Sequence, residues 1–283
     1  MSDQEKNTVI IYHGDCTDGY TGSYVAWKKF GDSAIYIGAK DRLVPPENLE
    51  GKDVYIIDYS YPKDVLLDLE KKTNKLVILD HHISAKDDVM SVKEHVFDNE
   101  HCGSYIASRY FFPDEKVPAL VEYVEDGDLY KFVLPNSRAI LSYLYSQEYS
   151  YELFTELQRE LEDINGLNKI IDYGNLLSKE HAKMVNYFAE RAEKVIFEGY
   201  EIYASNANKI VVSDLGHILA NKTNSFALIY YYDEGKMKCS LRGNGSVDVS
   251  IIAGKYGGGG HHNASGFIIE MDNHPLSCVK RIN

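Results

Sequence analysis

Residues Lys75 to His82 read KLVILDHH, a short aliphatic run that closes on two histidines and an aspartate. Four consecutive apolar residues between polar ends are the pattern of a strand buried on both faces, as in a parallel sheet. Two more runs of this kind come earlier in the chain. Thr8 to His13 (TVIIYH) leads into His13-Gly14-Asp15-Cys16-Thr17-Asp18-Gly19, and Asp53 to Asp58 (DVYIID) ends on an acid. Ala34 to Ile37 predicts a further strand. Helical apolar spacing lies between these runs. Gly19 to Phe30 places Tyr20, Tyr24 and Trp27 on one side, and Pro62 to Lys72 turns Val65, Leu66 and Leu69 inward. Repeated strand–helix–strand units predict a parallel sheet with helices on both faces.

From Gly103 the pattern becomes helical. Segments 103–112, 117–126 and 136–146 are expected helices, and 150–193 is mostly helical with a break near Asn165-Gly166. A second α/β stretch begins near Val195. Strands are expected at 200–204, 225–233 and 236–242, helices near 214–222 and 248–255, and a last strand from Gly266 to Glu270. The fold class expected is α/β, with an N-terminal parallel-sheet domain over residues 1–190, a helical connection, and a smaller α/β domain over residues 191–283.

The 283 residues carry 30 basic and 43 acidic side chains, a formal charge of −13. Such a balance argues against coating long duplex nucleic acid, which takes basic faces. It leaves room for a phosphate substrate held through cations on clustered carboxylates. No apolar run approaches the ~18 residues of a membrane helix. The opening MSDQEKNTVIIYHG has no basic segment leading into a long apolar one, so no secretory signal is expected. Cys16, Cys102, Cys239 and Cys278 form no CxxC pair, which fits a reducing cytoplasm.

Acids and histidines collect at strand ends: Asp15 and Asp18 after the first strand, Asp58 after the third, Asp80-His81-His82 after the fourth. In open parallel sheets ligands bind beyond the carboxyl ends of strands, so these segments are expected to converge. Crowded carboxylates repel, and a cation compensates them. Mixed Asp and His donors suit Mn²⁺, Mg²⁺, Fe²⁺ or Zn²⁺. Each piece also has a plain structural reading. Asp15 alone serves equally well as a helix N-cap, and a lone histidine pair is more often structural than metal-binding. A second outlier is Gly257-Gly258-Gly259-Gly260-His261-His262. Its glycines allow close backbone approach to a ligand and expose amides, as in phosphate nests. Arg242, at a strand end, offers a two-pronged phosphate contact.

Together these residues resemble the DHH phosphoesterase superfamily with its DHH-associated C-terminal domain. Asp80-His81-His82 matches the name motif, Gly257 to Gly266 the glycine-rich signature, Asp58 the second motif, and Glu125-Asp126-Gly127-Asp128 the fourth. The resemblance spans nearly the whole chain. It implies two divalent metal ions, manganese first, with Mg²⁺ or Co²⁺ as alternatives. The implied ligands are His13, Asp15, Asp18, a bridging Asp58, His81 and Asp126, with Asp128 as the alternative to Asp126. His82 would contact the scissile phosphate or assist proton transfer, and Asp80 would orient the histidines. Arg242, Gly258, Gly259, Gly260 and His261 would hold the distal part of the substrate. The first motif departs from the family. Cys16 stands two residues before Asp18, where an aspartate is usual, and Asp15 lies one residue further back. Whether Asp15 or Cys16 completes the motif stays open.

The resemblance implies two-metal hydrolysis of a phosphoester. A compact chain of this size is similar to the nano-RNase (oligoribonuclease) type, and its acidity favours a small nucleotide, dinucleotide or short oligonucleotide over a long polymer. The partners expected are that substrate, no long duplex and no membrane, with a homodimer left open. The alternatives are an inorganic pyrophosphatase or exopolyphosphatase, and a nucleotide-binding sensor with an impaired metal site.

Overall fold

The computed structural model describes residues 6–14, 16–40, 43–233 and 235–269. The chain divides into two compact units, Met1–Ser178 and Lys179–Asn283. The first unit runs β1 (Thr8–His13), α1 (Thr17–Phe30), β2 (Ala34–Ala39), β3 (Asp53–Ile57), α2 (Lys63–Lys72), β4 (Lys75–Asp80), α3 (Lys86–Val89) and β5 (Glu94–Phe97). It continues with α4 (Gly103–Phe111), α5 (Ala119–Asp128), α6 (Ser137–Tyr145), α7 (Tyr151–Glu162) and α8 (Ile164–Glu190), the last crossing from one unit into the other.

The five strands pair in parallel in the order β2-β1-β3-β4-β5. Alternate residues supply two apolar layers. Val9, Ile11, Val54, Ile56, Leu76 and Ile78 pack on one face with Leu66 and Leu69 of α2. Ile10, Tyr55, Ile57, Val77 and Leu79 pack on the other with Val25 of α1 and Ile106 and Phe111 of α4. Burial on both faces is why these strands read as unbroken aliphatic runs. A third cluster joins Tyr24 of α1 to α5, α6, α7 and α8, through Leu120, Leu141, Phe154 and Ile170. Of the tyrosines in α1, Tyr24 is buried and Tyr20 packs beside it, as a core face predicts.

The second unit holds β6 (Glu193–Phe197), β7 (Tyr200–Asn206), α9 (Val212–Thr223), β8 (Phe226–Asp233), β9 (Lys236–Gly243), α10 (Val249–Gly254), β10 (Gly259–His261) and β11 (Ala264–Ile269). Its mixed sheet has the order β10-β11-β9-β8-β7-β6, with only β7 and β8 parallel. Four short elements escape the sequence reading: α3, β5, β6 and β10, each of three to five residues and too short to show a period. The last strand begins two residues earlier than expected, and Glu270 lies outside the described residues. The domain division expected near residue 190 compares with a contact boundary after Ser178, inside α8, because the last turns of that helix pack Val185 and Ala189 into the core of the second unit. No described helix is long and apolar enough to cross a membrane.

Candidate metal centre

The carboxyl ends of β1, β3 and β4 bring His13, Asp58 and Asp80-His81-His82 to one edge of the first sheet. Asp18 joins them from the first turn of α1. The chain leaves β3 in a left-handed conformation at Asp58 (φ 55°), a state that aspartate tolerates better than most residues. Asp58 is 1% exposed and central. Its Oδ1 lies 3.2 Å from His81 Nε2, and its Oδ2 lies 3.5 Å from His13 Nδ1. Burial alone would raise this carboxyl, but the His13 and His81 rings outweigh it and hold Asp58 well below the usual carboxylate range.

Asp80 is wholly buried and positions both histidines. Its Oδ1 accepts from the amides of His81 (2.8 Å) and His82 (3.3 Å) and from His82 Nδ1 (2.7 Å). Burial works against charge on His82, but Asp80 outweighs it and raises the ring above its ordinary value. The same competition raises His81 to about 10, with Asp58, Asp128 and Asp18 opposing burial.

Asp18 does two things. Both its oxygens accept from the N-terminus of α4, from the Gly103 amide at 2.7 Å and the Ser104 amide at 2.9 Å. Burial and the charge of Asp58 still push its carboxyl up to about 6. Gly103 is required here by close approach: a Cβ would lie 2.5 Å from Asp58 Cβ and 3.0 Å from Asp18 Oδ2. The loop before α4 was missed by the sequence reading. Its signal, Cys102-Gly103-Ser104 opening a helix beyond a strand end, depends on β5 just before it, which was itself missed.

The fourth motif needs a correction. Asp126 does not reach the cluster. Its Oδ1 accepts from the Val133 amide (2.9 Å) and its Oδ2 from the Leu134 amide (3.2 Å), so both oxygens are engaged in the turn that leaves α5. Asp128, on another side of the helix, puts Oδ2 3.7 Å from His81 Nε2. Its side chain is a quarter exposed (25%). Burial and the charge of Asp18 push it up to about 8, and its place at the C-terminus of α5 adds to the cost of a bare negative charge.

Several donor sets result, the donor atoms of each lying within 4.8 Å of one another. Asp18, His81 and Asp128 form one, His13, Cys16 and Asp58 another, and Asp58, Asp80, His81 and His82 a third that shares residues with both. Cys16 thus faces the first-motif position, while Asp15 lies outside the described residues. Burial, then the charges of Asp58, Asp128 and Asp18, push the Cys16 thiol well up, so it is a weak ligand unless a cation offsets them. His13 Nδ1, Asp58 Oδ2 and Asp80 Oδ2 are buried with no hydrogen-bond partner among the described residues. Orphaned acceptors facing an imidazole nitrogen, among carboxylates with raised pKa values, are what a divalent cation satisfies. The residues fit such ions.

The second unit gathers the other expected residues by itself. Arg242 of β9, Ala264 of β11 and His261 of β10 lie abreast in register, so Arg242 and His261 share one face across a small alanine. The glycines are used differently from the nest expected. Gly258 lies against β11, where a Cβ would meet Gly266 O at 2.1 Å, and Gly259 and Gly260 pair with that strand.

Residues 192–276 match the model of the DHHA1 domain. The chain is 27% identical to an uncharacterized protein of Acanthamoeba polyphaga mimivirus, over 94% of this chain and 70% of that one. Among solved structures it is similar to the DHH domain of a member of the s1p family of ribosomal proteins (TM-score 0.58, 14% identity, covering 93% of this chain and 82% of that one). It is also similar to an exopolyphosphatase-related protein from Bacteroides fragilis (TM-score 0.55, 16% identity, 97% and 89%). A third similar structure is exonuclease RecJ bound to manganese (TM-score 0.50, 13% identity, 95% and 87%).

Proposed function

We propose that this chain, which belongs to the DHH phosphoesterase superfamily by its DHHA1 domain and its fold, is a divalent-metal-dependent phosphoesterase acting on a small nucleotide or short oligonucleotide. The convergence of Asp18, Asp58, His81 and Asp128 with His13 at one sheet edge carries the reading. Nothing in folding calls for buried carboxylates gathered there with acceptors left unpaired.

Asp58 would be shared between two cations, one also held by Asp18, His81 and Asp128, the other by His13 with Cys16 or Asp15. Bound there, divalent cations supply Lewis acidity toward a phosphate and toward water. The chain does the rest. Asp80 accepts from both histidine amides and from the His82 ring, and His82, whose charged form Asp80 favours, would offer a ring N–H donor to a phosphate oxygen. The amides at the start of α4 hold Asp18 in place. Manganese is the first choice of metal. The net charge of −13 supports a short substrate, since a long strand calls for an extended basic groove. Free Cys16, Cys102 and Cys239 support a reducing compartment.

The test is Mn²⁺-dependent cleavage of the dinucleotide pApA, against phosphate release from polyphosphate. Turnover of pApA is expected, with a loss on the order of 100-fold or more in Asp58→Ala and His81→Ala variants that stay folded by circular dichroism. Activity confined to polyphosphate overturns the nucleotide reading. Nucleotide binding without turnover on either substrate overturns the enzyme reading in favour of a sensor.

A further inference from the structure

Beside the cluster stands a pair of rings that the reaction as described does not use. Phe97 of β5 is in register with Asp80, and the Asp98 amide donates to Asp80 O (3.3 Å), so the loop from Asp98 to Cys102 starts at the same sheet edge as the cluster. Two residues after His101, Gly103 at the start of α4 donates to Asp18 and lies so near Asp58 that a Cβ would not fit between them. His101 leaves the loop and stacks on Tyr105 of α4, with ring centroids 3.9 Å apart and planes 5° from parallel. Tyr105 itself packs on the apolar layer between the sheet and α4. The order is core, Tyr105, His101, so the free face of the imidazole is the outward one, and its side chain is 35% exposed.

The ring is also held at its edge. Its Nδ1 contacts both oxygens of Glu125, at 3.0 and 3.2 Å. Glu125 is steadied by Lys131 Nζ at 3.8 Å, which donates in turn to Glu100 O. Glu125 and Asp128 are three residues apart on α5 and so share one face of that helix, a single turn from each other. An exposed imidazole face backed by a tyrosine, clamped at Nδ1 and one helical turn from a candidate metal ligand, has little freedom left to lose on binding.

We infer that His101 is a base-stacking residue, the outer face of its ring receiving a nucleobase of the substrate whose phosphate lies at the Asp18–Asp58–His81–Asp128 cluster. The inference rests on the phosphoesterase reading for the phosphate, and adds which residue would receive the base. Stacking suits every base, because each has a π-face, so the residue selects nucleotides over inorganic phosphates without choosing among bases. Glu125 and Tyr105 are positioning residues that act through His101.

Two measurements test this. KM is compared for pApA and its abasic analogue in the wild type, His101→Ala and His101→Phe. Fluorescence of a dinucleotide carrying 2-aminopurine is followed with Ca²⁺ in place of Mn²⁺, since stacking quenches that base. The wild type is expected to prefer pApA by about tenfold in KM and to quench the probe. His101→Ala should lose both, and His101→Phe, which keeps a flat ring, should retain both. A preference or quench that survives His101→Ala overturns the platform, as does its loss in His101→Phe to the same degree. If the wild type quenches the probe in a His101-dependent way yet cleaves neither substrate, the phosphoesterase reading fails and the platform stands. If it cleaves pApA without quenching, the reverse holds, and a wild type that does neither overturns both.

Discussion

Asp126 and Asp128 stand two residues apart on α5, roughly 200° of helical rotation, so only one of them can face the cluster. Sequence spacing offers no way to choose, because both belong to the same acidic motif. The choice is made by the turn after the helix, where Val133 and Leu134 amides take both oxygens of Asp126. The two acids are therefore expected to fail differently. Asp128→Asn should weaken Mn²⁺ binding and lower kcat by about 100-fold, with Tm unchanged or raised, since it removes a carboxylate whose charge is disfavoured. Asp126→Asn should lower stability by about 1–3 kcal/mol, because one amide then meets an NH₂ group instead of an acceptor. Thermal melts and metal titrations on the two variants check this; a Tm loss in Asp128→Asn larger than in Asp126→Asn would contradict it.

At the level of elements, the first unit ties its metal-facing acids to backbone it must build anyway. The N-terminus of α4 carries unsatisfied amides, and Asp18, arriving from α1, accepts from two of them. α1 and α4 are thereby joined at the point where both meet the end of β3. Asp18→Ala should cost more stability than the loss of a solvent-facing metal ligand, about 2 kcal/mol or more, because two buried donors lose their acceptor. Chemical denaturation with EDTA present isolates that effect from metal binding, and an unchanged midpoint would show that the amides find other partners. The elements that sequence reading identified are those with a strong period or an unbroken aliphatic run: β1, β3, β4, α1 and α2 among them. Those it missed, such as β5, are short and carry an alternation of exposed and half-buried positions over only four residues, Glu94 to Phe97. Missing β5 also hid the loop that carries His101 and leads into Gly103.

For the molecule as a whole, the site makes stability depend on pH. Asp18 at about 6 and Asp128 at about 8 both lie above their ordinary 3.8, and His81 at about 10 lies above 6.5. In each case the folded chain holds a proton that the unfolded chain has already released, so rising pH removes stability. The intervals run from about 4 to 6, 4 to 8 and 6.5 to 10 in turn. Asp58, shifted down, acts oppositely, its contribution being lost only as pH falls below the ordinary carboxylate range. Between pH 5 and 9 the Tm of the EDTA-treated protein should therefore fall, while the increment given by Mn²⁺ grows as the cation replaces those protons. Differential scanning fluorimetry across that range checks both, and a metal increment that shrinks with pH would contradict the assignment. The sequence by itself determined the α/β architecture of the first unit and the set of strand ends where acids and histidines gather, because two-sided burial and parallel topology are written in local runs of residues. Only the tertiary structure decided which acid of the fourth motif reaches His81, that Asp18 also closes a helix, that the glycines pair with a strand, and that His101 lies flat beside the cluster. Those outcomes depend on where backbone amides from distant segments fall, and a local pattern carries no record of a partner 85 residues away.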